Sequence, residues 1–85
     1  MIIVTSKQFD KKFKKLPKKT QLQTKSRILL FVKDSYDTLL NNHLLHGDKK
    51  LLRSININAD LRLLYEAVDA EVVRFLDIDT HSNLY

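Results

Sequence analysis

Cysteine is absent from the 85 residues, and glycine and proline occur once each. Without cysteine no disulfide and no thiolate zinc site can form, which fits a reducing compartment. No apolar stretch approaches the length of a membrane span, so no membrane association is expected. The opening MIIVTSKQFDKK places a three-residue apolar run ahead of its charges. A secretory signal has the opposite order and a longer apolar core. The expected location is the cytoplasm. No repeat, linker or low-complexity segment interrupts the chain.

What is present describes one small domain over residues 1–85, 44% hydrophobic and 29% charged, enough for a limited core. The net charge of +5 is unevenly spread: residues 1–33 carry ten Lys/Arg against one acid, and residues 34–85 carry five against nine. A basic half of this strength suits a polyanion or an acidic protein partner, and equally a solvated lysine face.

Ile2 to Thr5 is a short β-branched run that predicts a strand. Ser6 stands at an N-cap position, with Phe9, Phe13 and Leu16 following at helical spacing. Pro17 ends that helix by removing a backbone donor. A second helix is predicted over 18–33, its buried stripe formed by Leu22, Ile28, Leu29 and Val32. Residues 34–50 lose the period and read as a long connection with one helical turn at 38–41. Long connections without structure of their own are often functional. Runs at 51–57, 61–68 and 71–78 predict three strands joined by the turns Asn58–Asp60 and Asp69–Ala70, hence an antiparallel meander. The fold class is α+β in the order β-α-α-β-β-β, with both helices on one face of an antiparallel sheet and the other face partly open.

Alternation puts Ile55 and Ile57 in the core and leaves Ser54 and Asn56 on the open face. Arg62, Asp60, His43 and His81 come from separate places that a meander can gather at one rim. Taken singly, each has a plain structural role. Asp60 suits a turn, Arg62 can pair with Glu66, and His46 is an ordinary exposed loop histidine. His43 and His46 have H-x-x-H spacing, but no carboxylate in helical register and no third ligand accompany them, so no metal site is expected.

Taken together, HLLHG, RSININADLRLLY and FLDIDTHSNLY resemble the signature region of RelE/ParE-superfamily toxins of type II toxin–antitoxin systems, in particular the YafQ-like branch. The motifs cover residues 43–85, and the helical half agrees in type. Three positions depart from that pattern: Asn56 replaces a second strand histidine, Leu61 a tryptophan, and Asp79 the glycine before Thr80.

The resemblance implies a RelE-like fold and a ribosome-dependent mRNA endonuclease silenced by a cognate antitoxin. RNA supplies its own nucleophile, the 2′-hydroxyl, so neither metal nor small-molecule cofactor is expected. By the same resemblance His43 and His81 transfer protons, a service worth about 10²–10⁴-fold in rate. Asp60 orients or acidifies a neighbour, Arg62 holds the scissile phosphate, Tyr85 engages the nucleotide, and Asn56 is a further catalytic position. Lys11, Lys14, Lys15, Lys18 and Lys19, with Arg53, are the expected contacts to RNA or ribosome. Two alternatives stay open. One is a ParE-type gyrase poison, which does not need His43, His81 and Tyr85 together. The other is a decayed toxin that only binds its antitoxin.

Overall fold

The computed structural model describes residues 1–46 and 51–85; the end of the expected 34–50 connection, with the glycine of HLLHG, lies outside them. Strand β1 (Ile2–Thr5) leads into helices α1 (Lys7–Lys15) and α2 (Lys18–Lys33) and a 3₁₀ turn at Thr38–Leu40. Strands β2 (His43–Leu44), β3 (Arg53–Asn56), β4 (Leu61–Ala67) and β5 (Val72–Thr80) follow, and helix α3 (His81–Leu84) completes the fold. The sheet order is β1-β5-β4-β3-β2.

Local chemistry sets these boundaries. The Ser6 hydroxyl accepts the Phe9 N–H at 3.0 Å and donates to the Leu76 carbonyl at 2.7 Å. It thereby caps α1 and ties it to β5. After Pro17 breaks the chain, the Gln21 amide turns back to the carbonyls of Phe13 (3.3 Å) and Leu16 (3.1 Å). Acceptors left over at the end of α1 are satisfied in this way.

Phe9 is buried, and Phe13 and Leu16 pack against the core as the spacing predicts. Of the expected stripe of α2, Ile28 packs against the core, but the other three residues face outward. Leu22 is 58% exposed, Leu29 71% and Val32 47%, whereas Thr24 and Phe31 are buried. The helix carries apolar side chains on more than one side, and its rotation is decided by aromatic packing. Phe31 meets Tyr65 edge-on at 4.8 Å and Phe75 at 6.0 Å. Thr24 is buried without loss because its hydroxyl donates to the Thr20 carbonyl at 2.8 Å.

Strands β3, β4 and β5 form the antiparallel meander. β1, however, runs parallel to β5, with Ile2 opposite Val72, so the sheet is mixed. The helix pair carries the chain from β1 at one edge of the sheet to β2 at the other. The strands that follow return to set β5 beside β1, a long connection of the kind a parallel neighbour requires. Both long helices lie over one core that contains Phe9, Phe31, Ile55, Leu63, Tyr65, Phe75 and Ile78.

Two further differences shape the site. Part of the expected connection is the two-residue β2, antiparallel to β3 with His43 opposite Ser54. The last strand reaches Thr80 and then turns into α3, capped by the Thr80 hydroxyl, which accepts the Asn83 N–H at 3.3 Å. The second face of the sheet is therefore partly covered there. Leu84 joins Leu45, Leu64 and Leu52 in a small apolar cluster. Burying such a leucine contributes about 1.5–3 kcal/mol. Ser54, expected to be open, is fully buried. Among the described residues no helix is long and apolar enough to cross a membrane.

Candidate active site

α3 and β2 border a cleft of about 730 Å³ whose lining includes His43, His46, His81, Asn83, Leu84 and Tyr85. Tyr85 stands between two histidines. Its ring lies 4.6 Å from that of His81 at 88° and 6.4 Å from that of His43 at 66°. The Tyr85 hydroxyl donates to the hydroxyl of Ser54, so a buried β3 side chain fixes the ring from below.

His43 is oriented by its own segment. Its Nδ1 lies 2.8 Å from the Asn41 carbonyl. A carbonyl can only accept, so Nδ1 carries the hydrogen and, in the neutral ring, Nε2 keeps a lone pair. Asn41 turns the chain through a left-handed conformation, φ 46°, which asparagine tolerates better than most residues. The neighbouring Asn42 locks the approach to β2. It donates to the Tyr65 hydroxyl at 2.7 Å and to the Ser35 carbonyl at 2.8 Å, and it accepts from Arg53 Nε at 2.8 Å. Burial pushes the Tyr65 hydroxyl up from its ordinary pKa.

The other expected site residues are placed differently. Asp60 is exposed at the β3–β4 turn and does not line the cleft. Its N–H donates to Asn58 Oδ1 at 3.0 Å, and its carbonyl accepts the His81 N–H at 2.8 Å. Arg62 is also absent from the lining and holds the same turn. Its guanidinium donates to the carbonyls of Asn58 (2.9 Å), Leu61 (3.1 Å) and Ala59 (3.2 Å). Arg62 does not pair with Glu66, which instead meets Arg74 at 3.0 Å. Asn56 is half-buried opposite Arg62, and its buried Oδ1 has no hydrogen-bond partner among the described residues.

A second groove, about 440 Å³, runs along α1 between Lys7, Gln8, Lys11, Lys12 and Lys15. Of the expected RNA contacts it includes Lys11 and Lys15, while Lys14, Lys18 and Lys19 are exposed outside it. Arg53 lies apart from this groove. It is half-buried, bonded to Asn42, with its guanidinium 5.4 Å from the Tyr36 ring centre.

Sequence reasoning passed over His46, Ser54 and Asn83. The H-x-x-H spacing was the one available signal for His46. Ser54 and Asn83 gain their contacts only when α3 packs at the end of β5 and brings Tyr85 to β3. Among the described residues no group of three or more His, Cys, Asp or Glu is placed to hold a metal ion.

A family model, the ParE toxin of the type II toxin–antitoxin system parDE, matches residues 3–85. The chain belongs to this family. Solved toxin structures share its fold. YafQ from E. coli strain BL21(DE3) superposes with a TM-score of 0.81 at 24% identity, covering 98% of this chain and 96% of that one. The E. coli DinJ-YafQ toxin-antitoxin complex gives 0.78 at 25% identity, with 98% and 94% covered. The YoeB/ParE toxin from Agrobacterium tumefaciens gives 0.80 at 15% identity, with 95% and 99% covered. A comparison with curated proteins finds no match. The toxin thus carries the RelE/ParE-superfamily, YafQ-like fold that its C-terminal motifs resemble.

Proposed function

We propose that this toxin is a ribosome-dependent mRNA endonuclease acting through the RNA 2′-hydroxyl and silenced by a cognate antitoxin. One observation carries the reading: Tyr85 is flanked by His43 and His81 in an open cleft, and His43 Nε2 faces no hydrogen-bond partner among the described residues. One histidine accepts the 2′-proton as that oxygen attacks the adjacent phosphorus. The other protonates the departing 5′-oxygen, leaving a 2′,3′-cyclic phosphate on one fragment and a 5′-hydroxyl on the other. Tyr85 offers a ring face for a splayed base. Because Arg62 is committed to three carbonyls, we assign it and Asp60 to holding the turn beneath α3. His46 lines the same cleft.

Lys11, Lys14 and Lys15 of α1, with Lys18 and Lys19 of α2, supply the attraction to ribosomal RNA phosphates, a contact that weakens as salt rises. The antitoxin is assigned to the outward side of α2. Leu22, Leu29 and Val32 lie there among Lys18, Lys25 and Lys33, a surface that suits an amphipathic acidic segment. An action at the ribosome implies a cytoplasmic toxin.

The family's ParE name supports a second reading, a gyrase poison. Inducing the toxin alone in a bacterium separates the two. Arrested translation with cleaved mRNA and normal DNA supercoiling is expected. Gyrase-linked DNA breaks with intact mRNA would replace the nuclease reading. Arrest with neither would leave a toxin of another kind.

A further inference from the structure

A four-residue helix does not hold itself, because nucleating one turn fixes several dihedrals for a single hydrogen bond. α3 therefore takes its position from contacts outside it. Leu84 is buried against β4, Tyr85 is bonded to Ser54, and the His81 N–H is held by the Asp60 carbonyl. A further tie is Asp79, the residue just before the cap.

Its carboxylate is divided between two helices. Oδ1 accepts from Asn83 Nδ2 of α3 at 2.9 Å and from the Thr80 N–H at 2.7 Å. Oδ2 accepts from Lys12 Nζ of α1 at 3.0 Å. The same ammonium lies 2.9 Å from Asp77 Oδ1, so Lys12 is fixed between two carboxylates. Glycine, the residue at this place in the related pattern, could make none of these side-chain ties.

We propose that Asp79 is a positioning residue for the cleft. Through Asn83 it sets where α3 carries His81 and Tyr85, and through Lys12 it fastens that placement to the basic helix. Its effect on cleavage rests on the endonuclease reading; its effect on geometry does not.

The test compares Asp79→Ala, Asn83→Ala and Asp79→Asn in the purified toxin. The ring current of Tyr85 displaces the His81 ring-proton NMR signals, so their positions report how α3 sits. Cleavage of mRNA on programmed ribosomes supplies kcat and KM. Asp79→Ala and Asn83→Ala are expected to reduce the His81 displacement and to lower kcat by about 10- to 100-fold, the range for a misplaced catalytic group, with KM unchanged. Asp79→Asn is expected to lose less of both than Asp79→Ala, because its amide oxygen still accepts from Asn83 and Thr80 while the tie to Lys12 is gone. An unaltered His81 signal and kcat in Asp79→Ala would overturn the proposal, as would an Asp79→Asn loss as large as that of Asp79→Ala. If the parent toxin cuts no RNA, the endonuclease reading fails and the His81 signal still decides the positioning.

Discussion

The backbone N–H of His81 donates to the carbonyl of Asp60 at 2.8 Å, so the two residues meet through main chain and not through their titratable groups. The turn between β3 and β4 is thus the footing of α3. Arg62 grips that turn from the side through three carbonyls. Residues that neighbour one another in a motif can thus meet only through the main chain.

Arg62→Ala removes those donors and should cost about 1.5–3 kcal/mol, the range for hydrogen bonds from a charged group. In a chain of this size each kcal/mol lowers Tm by roughly 4–8 °C. Thermal melting and urea titration check it. Unchanged stability with lost cleavage would return Arg62 to the phosphate.

His81→Ala and Tyr85→Phe separate chemistry from packing. His81 is exposed, so its loss should cost under about 1 kcal/mol of stability while cleavage falls on the order of 10²-fold or more. Tyr85→Phe leaves the buried Ser54 hydroxyl without its partner and should destabilise by about 1–3 kcal/mol. Equal loss of Tm in both variants would argue that the whole terminal turn is structural.

Asp79 and Lys12 predict the shape of a pH–stability curve. The Asn83 amide, then the Thr80 N–H, holds the Asp79 carboxyl below its ordinary 3.8. Its contribution is complete above 3.8 and disappears as pH falls through the lower folded value. The Asp77 hydrogen bond raises Lys12 above 10.5, so its share is complete below 10.5 and disappears as pH climbs through the folded value. Urea midpoints measured from acid to alkali should show a shallower acid limb in Asp79→Asn. An identical acid limb would remove Asp79 from the account.

Leu29→Glu tests the outward side of α2. With 71% of its surface exposed, the leucine should be replaceable within about 0.5 kcal/mol. Affinity for the antitoxin should nonetheless fall at least tenfold by titration calorimetry. Full affinity would move the antitoxin elsewhere.

Periodicity and punctuation were enough for the helix pair, the meander and the α+β class. Ser6 and Pro17 bounded α1, and short turns forced β3, β4 and β5 into antiparallel neighbours. The rotation of α2 was not legible. Leu22, Leu29 and Val32 satisfy a helical period as well as Thr24, Ile28 and Phe31 do, and only Tyr65 and Phe75 choose between them. The motifs brought His43, His81 and Tyr85 to one place. They did not reveal that Asp60 and Arg62 act through backbone carbonyls, since residue type is silent about partners that topology supplies. Nor could they find Ser54, whose use depends on a helical turn too short to leave a pattern.

The parallel pairing of β1 with β5 has a consequence for synthesis. Ser6 and Leu76 are bonded across 70 positions of sequence, and such long-range closure slows folding. While the polypeptide is being made, β1 has no neighbour until translation has passed Val72. The helix pair emerges early, but Phe75 and Ile78, against which it packs, emerge late, and His81 and Tyr85 follow them. A nascent fragment that stops short of them therefore holds neither a closed sheet nor the cleft that α3 borders, and His43, His81 and Tyr85 come together only after translation has passed Tyr85.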